Sequence, residues 1–178
     1  MSVMQSYLHL ITGGARSGKS RYASDLARQL SDAPVYVATA KVYDDSEFAD
    51  RIRRHQQDRG PEWTSFEEQR AVSQLPLAGR VVVVDCMTLW LTNFFGDTGY
   101  AVDPALALFR AELDALQLLP AHLLVVTNEI GMGVHAETAV GRRFTDLQGW
   151  ANQYVASRAD AVTLLVSGIP VPIKIPTP

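Results

Sequence analysis

Five short apolar runs recur along this chain, and between them lie stretches whose apolar residues return every three or four positions. The runs are LHLIT (8–12), VYVAT (35–39), VVVVD (81–85), LLVVT (123–127) and VTLLVS (162–167). They are rich in branched side chains and do not alternate with polar ones, so each reads as a strand buried on both faces. Such a sheet needs helices to cover it, and the intervening stretches supply them. In residues 20–30, Tyr22, Ala23, Leu26, Ala27 and Leu30 fall on one stripe; Phe144, Leu147, Ala151, Tyr154 and Val155 make another. Asp103 followed by Pro104 has the form of an N-cap and a first helical position, ahead of Leu106, Phe109, Leu113 and Leu116. This alternation predicts an α/β fold: a doubly wound, mainly parallel sheet with helices on both faces. The end, SGIPVPIKIPTP, reads as a turn and a short C-terminal edge strand limited by its prolines, with an antiparallel sense allowed.

A length of 178 residues without repeat, linker or low-complexity tract fits one domain over 1–178. The net charge of -3 argues against a duplex nucleic-acid partner. The single cysteine, Cys86, excludes an intrachain disulfide and suits a reducing cytoplasm. No signal peptide is recognised ahead of the first strand. The longest apolar stretch, RVVVVDCMTLWLTNFF, is broken by Asp85, so no membrane span is expected.

The first strand runs into ITGGARSGKS, which contains Gly13-x-x-x-x-Gly18-Lys19-Ser20 between a strand and an amphipathic helix. That is the full P-loop pattern in its proper context. Its glycines let the backbone curl so that N–H groups across Gly13, Gly14, Ala15, Arg16, Ser17, Gly18, Lys19 and Ser20 converge on phosphate oxygens. Lys19 would reach the β and γ phosphates, and Ser20 would hold Mg²⁺. A second acid–metal element is expected at a strand end, and Asp85 closes VVVVD. Its competing role is an N-cap for the following CMTLWLTN helix. Cys86 beside it reads as a small buried residue rather than a nucleophile. A signalling GTPase would carry an Asn-Lys-x-Asp element late in the chain; TNEIGMG stands there instead.

Among four histidines, His55 is set apart by its surroundings, RIRRHQQDRGPEW. Phe48, Ile52, His55 and Arg59 share one face of a helix expected from near Ser46, so His55 could simply extend an apolar stripe. Against that stand Arg51, Arg54 and Arg59, offset only by Asp58. A cationic surround keeps the imidazole neutral and attracts nucleotide phosphates, as a phosphorus-attacking nucleophile needs. His9 and His122 read as packing or solvated residues, and His135 in GMGVHAET is the remaining rival.

TGGARSGKSRYA, VYVATA, RIRRHQQDRGPEW, VVVVDCMTLWLTN, TNEIGMG and SGIPVPIK, in this order and spacing, resemble the bifunctional adenosylcobinamide kinase / adenosylcobinamide-phosphate guanylyltransferase family of cobalamin synthesis. The similarity runs over residues 8–174. It implies transfer of a γ-phosphoryl group from ATP or GTP to adenosylcobinamide, then GMP transfer from GTP through a histidine–GMP phosphoramidate carried on His55. The resemblance places nucleotide contacts on Thr39, Ala40 and Lys41, on Gln56, Gln57, Asp58 and Arg59, and on the acids Glu67 and Asp85. It also implies adenosylcobinamide and its phosphate as partners, and a homotrimer, for which TLWLTNFF offers an apolar surface unless it is a core helix. Two residues depart from the family pattern: Gln56 stands where a basic residue is usual, and Thr145 where arginine is expected. Because the two reactions use different phosphorus atoms, the His55 segment is expected to move between states. A kinase of another small alcohol with a structural His55 and a nucleotide-binding regulatory module are the alternatives.

Overall fold

The computed structural model of the chain describes residues 5–40 and 60–176. The described elements, in chain order, are β1 (Tyr7–Gly13), α1 (Lys19–Leu30), β2 (Val35–Ala38), β3 (Thr64–Glu67), a 3₁₀ turn (Val72–Gln74), β4 (Val81–Asp85), α2 (Met87–Asp97), α3 (Val102–Gln117), β5 (His122–Val126), α4 (Ala139–Arg158), β6 (Ala161–Val166) and β7 (Ile169–Lys174). The seven strands form one sheet in the order β3-β2-β4-β5-β1-β6-β7. Every neighbouring pair is parallel except β6 and β7, which run antiparallel.

Side chains alternate across each strand and so feed two cores. Leu8, Leu10, Val35, Val37, Val82, Val84, Leu123 and Val125 pack with Trp90, Phe109, Leu113 and Leu147 of α2, α3 and α4. Ile11, Tyr36, Val81, Val83, Leu124 and Val126 pack with Ala23 and Ala27 of α1. Helices therefore cover both faces, and the strands read as nearly all apolar for that reason. The stripe expected from Phe144 to Val155 forms α4, with Leu147, Ala151 and Val155 buried.

Four local expectations change. Leu30, in the last turn of α1, is 45% exposed and does not join the buried stripe. Asp103 is not a cap: α3 starts at Val102 with Ala101 in the cap position, so Pro104 lies inside the first turn. Residues 64–67 gave no strand signal, yet β3 pairs there with β2. Its TSFE alternates half-buried and exposed, as an edge strand does, and so lacks the apolar run. TLWLTNFF lies in α2 and buries Trp90, Leu91, Phe94 and Phe95, so it is core rather than a surface for another copy. The helix expected from near Ser46 lies outside the described residues. Among the described residues, no helix is long and apolar enough to cross a membrane.

Candidate active site

The phosphate loop sits where β1 ends and α1 begins, on the C-terminal side of the sheet. Gly13 (φ +150) and Gly18 (φ +96) occupy backbone regions open chiefly to glycine. An added Cβ at Gly13 would lie 2.6 Å from the Leu165 carbonyl oxygen and 2.7 Å from Ser17 Oγ. The loop is held from three sides. Ser17 N–H donates to the Gly14 carbonyl (3.3 Å), Gly168 N–H to the Ser17 carbonyl (3.0 Å), and Glu129 N–H to the Gly13 carbonyl (3.1 Å). Gly14, Ala15 and Arg16 are exposed, whereas Ser17 and Lys19 are buried. Lys19 Nζ donates to the Gly14 carbonyl at 2.6 Å and lies 3.5 Å from Ser17 Oγ, so its charge is directed into the loop. No side chain caps α1 and no acid occupies its first turn, which leaves the positive helix end to an anion. Ser20 stands in that first turn.

Asp85 ends β4, separated from β1 only by β5. Its Oδ2 accepts a hydrogen bond from Tyr36 Oη at 2.8 Å. Cys86, not Asp85, occupies the cap position of α2 and makes no side-chain cap bond, so the capping alternative for Asp85 falls away. With Ser20 it supplies hydroxyl and carboxylate oxygens, the donor types that suit a hard divalent cation shared with phosphate. The buried Cys86 thiol is pushed up to about 12 by burial and by the neighbouring Asp85 charge, which keeps it protonated and inert.

Thr39 is bonded on three sides. It is fully buried; its Oγ1 donates to the Cys86 carbonyl (2.7 Å), its N–H to the Asp85 carbonyl (3.4 Å), and its own carbonyl accepts from Asn93 Nδ2 (2.8 Å). Thr39 is thus a strut that fixes the β2 end against the Asp85 turn, with its side chain committed. Ala40 follows it, half-buried. Glu67 is exposed at the end of β3, the outermost strand, with β2, β4 and β5 between it and β1. At ~4.8 Å per strand the two lie roughly 19 Å apart across the sheet. Lys41, His55, Gln56, Gln57, Asp58 and Arg59 lie outside the described residues.

Of the other histidines, His9 is buried in β1 with Nε2 2.8 Å from Thr163 Oγ1, and burial together with the nearby His122 pushes it down to about 4. His122 opens β5 rather than preceding it. His135 is exposed on the loop after β5. Thr145 bonds back to the Gly141 carbonyl (3.0 Å), and Arg142 reaches the carbonyls of Ala136 and Glu137.

Sequence reading missed the residues that brace this site. Tyr36 is one; its hydroxyl in an otherwise apolar strand was the available signal. The second is a polar network under the loop after β5. Thr127 Oγ1 and Gln148 Nε2 both donate to Asn152 Oδ1, while Asn152 Nδ2 donates to the Asn128 carbonyl and reaches Glu129 Oε2. Asn128 N–H and Nδ2 both reach Thr88 Oγ1. The polar run TNE at the end of an apolar strand carried that signal, and Gln148 and Asn152, four apart on α4, completed it.

Comparison with known proteins bears on the same residues. The family model described as "Cobinamide kinase / cobinamide phosphate guanyltransferase" matches residues 9–173. The "Bifunctional adenosylcobalamin biosynthesis protein CobP" of Pseudomonas aeruginosa is 41% identical over 170 residues, covering 93% of this chain and 96% of that protein. The "Bifunctional adenosylcobalamin biosynthesis protein CobU" of Escherichia coli is 39% identical over 180 residues, covering 93% and 98%. Among solved structures, the flagellar accessory protein FlaH of Methanocaldococcus jannaschii superposes with a TM-score of 0.51 at 14% identity, covering 98% of this chain and 81% of that one. A protein of Pyrococcus horikoshii gives 0.55 at 9% identity, covering 98% and 88%. These two share the fold alone. A match over nearly the whole chain, with the phosphate loop and Asp85 inside it, makes this chain a member of the cobinamide kinase / cobinamide phosphate guanyltransferase family.

Proposed function

We propose that the chain phosphorylates adenosylcobinamide and then converts the product to adenosyl-GDP-cobinamide. In the first reaction the acceptor hydroxyl oxygen bonds to the γ-phosphorus of ATP or GTP, its proton leaves, and the nucleoside diphosphate departs. In the second, an imidazole nitrogen of His55 bonds to the α-phosphorus of GTP and pyrophosphate leaves. A phosphate oxygen of the phosphorylated acceptor then takes the GMP and frees the histidine.

The observation that carries this reading is the seat of Lys19, directed into a glycine loop at a helix N-terminus, in a chain 39–41% identical to bifunctional relatives. The loop amides and Lys19 stabilise negative charge on whichever phosphate is reacting, so one cradle serves both steps. Ser20 and Asp85 would hold Mg²⁺, which when bound offsets phosphate charge. Tyr36 orients Asp85, and Thr39 fixes the turn that carries it. His55 and the contacts on Gln56 to Arg59 belong to this proposal through the resemblance, as does a cytoplasmic homotrimer. Light scattering at three times the 19.5 kDa chain mass would support the trimer.

Covalent labelling tests the reading. Protein incubated with Mg²⁺ and GTP labelled at the α-phosphate should carry an acid-labile label that γ-labelled GTP does not give. The label should vanish in His55→Ala and persist in His135→Ala. A wild type that binds GTP yet takes no label would return His55 to a structural role and leave a kinase alone.

A further inference from the structure

The loop over residues 127–138 leaves β5 between the two halves of the site, since β5 lies between β4, which ends at Asp85, and β1, which ends at Gly13. Both ends of this loop are pinned. At its start, Asn128 is bonded to Thr88, Glu129 N–H to the Gly13 carbonyl, and Asn152 Nδ2 to the Asn128 carbonyl. At its finish, Arg142 Nη1 donates to the carbonyls of Ala136 (3.2 Å) and Glu137 (2.8 Å), and Thr138 Oγ1 accepts from Gly141 N–H. Between the anchors, Met132 is 82% and Val134 98% exposed.

A single exposed apolar side chain on a protein surface calls for no explanation. These two differ in their placing. They stand together on a loop tied to the phosphate loop, on the crevice side where open α/β sheets bind ligands. The acceptor of the proposed reaction is a broad corrin macrocycle whose ring carbons and methyl groups are apolar, edged by amides, with a hydroxyl on a flexible arm. The arm is the narrow part of that acceptor, so a ring resting on the rim would let its hydroxyl reach a phosphorus at Lys19.

We infer that the loop bearing Met132 and Val134 is the platform on which the corrin ring of the acceptor rests, so that the anchor at Gly13 sets the distance from ring to phosphate loop. The inference rests on the function proposed above. Both side chains lie in solvent, so polar replacements leave the core untouched.

The test is steady-state kinetics of the Met132→Ser, Val134→Ser double variant beside Met132→Leu, Val134→Ile. Removing two apolar contacts should raise KM for adenosylcobinamide about tenfold with kcat and nucleotide KM held, and the Leu/Ile pair should keep the wild-type value. The His–GMP label formed from GTP without acceptor should be unchanged in both. An unchanged acceptor KM in the active Ser/Ser variant overturns the platform alone. So does a parallel loss of GTP labelling, or a fall in mass by light scattering, which would make the patch a contact between copies. A wild type that labels with GTP but never turns over adenosylcobinamide overturns the functional reading and the platform with it.

Discussion

Gly13 and Gly14 are adjacent and equally small, yet they are under different constraints. A methyl group at Gly13 meets the β6 backbone at Leu165 and the hydroxyl of Ser17, whereas one at Gly14 meets nothing within 4 Å. Gly13→Ala should therefore cost about 1–3 kcal/mol of stability and displace Ser17, lowering nucleotide affinity at least tenfold. Gly14→Ala should keep the stability and report only on phosphate access. Denaturant unfolding with nucleotide titration checks both, and equal behaviour of the two variants would refute the steric argument. Tyr36 offers a second contrast. Tyr36→Phe keeps the ring packed edge-on to Trp63 but removes the hydrogen bond to Asp85. We expect about 1 kcal/mol lost in stability and a several-fold rise in the Mg²⁺ concentration needed for half-maximal turnover. An unaltered Mg²⁺ dependence would remove Tyr36 from the metal site. Individual residues were legible in the sequence where local chemistry fixes them: glycines at positive φ, the loop lysine and an acid at a strand end. Tyr36, Thr88 and Asn152 were not, since each acts through a partner 23 or more positions away.

Among the elements, the β6–β7 hairpin does more than close the sheet. Its turn places Ser167 (φ 52) and Gly168 (φ 82) in left-handed conformations, and Gly168 N–H bonds to the Ser17 carbonyl of the phosphate loop. Gly168→Val puts a branched side chain at a positive φ and strains the turn by about 1–2 kcal/mol. Nucleotide affinity should fall with it, because the turn is tied to Ser17 by that bond. Calorimetric titration with GTP measures this, and unchanged affinity in a folded variant would show that the loop holds its shape without the hairpin. The five strands buried on both faces were readable from their short, non-alternating apolar runs, and the proline-limited end forms β7. The short edge strand β3 was not, because half-exposed TSFE lacks an apolar run. The start of α3 was missed for another reason: Asp103-Pro104 imitates a cap, but Ala101 to Val102 already turns into the helix.

At the scale of the molecule, chemistry gathers at one end of the sheet and an uncharged histidine pair at the other. His9 and His122 both sit below their ordinary value, chiefly through burial, with His9 also repelled by His122 and His122 partly supported by Asp160. Tyr7 packs its ring 4.3 Å from that of His122, and Thr163 Oγ1 lies 2.8 Å from His9 Nε2. The sign follows from proton uptake. Between the unfolded value near 6.5 and the folded value of about 4, the unfolded chain binds the His9 proton and the folded chain does not. Stability from this group is therefore complete above pH ~6.5. It falls as the pH drops towards about 4, by at most about 3 kcal/mol, and levels off below that. Urea unfolding of the wild type and of His9→Gln across pH 4–7.5 separates this from the acidic groups. The variant keeps a polar partner for Thr163 but has no proton to take up, so its stability should fall less steeply through this window. Parallel curves for the two proteins would show that His9 stays neutral or charged alike in both states, and that the buried end of the sheet tolerates the charge.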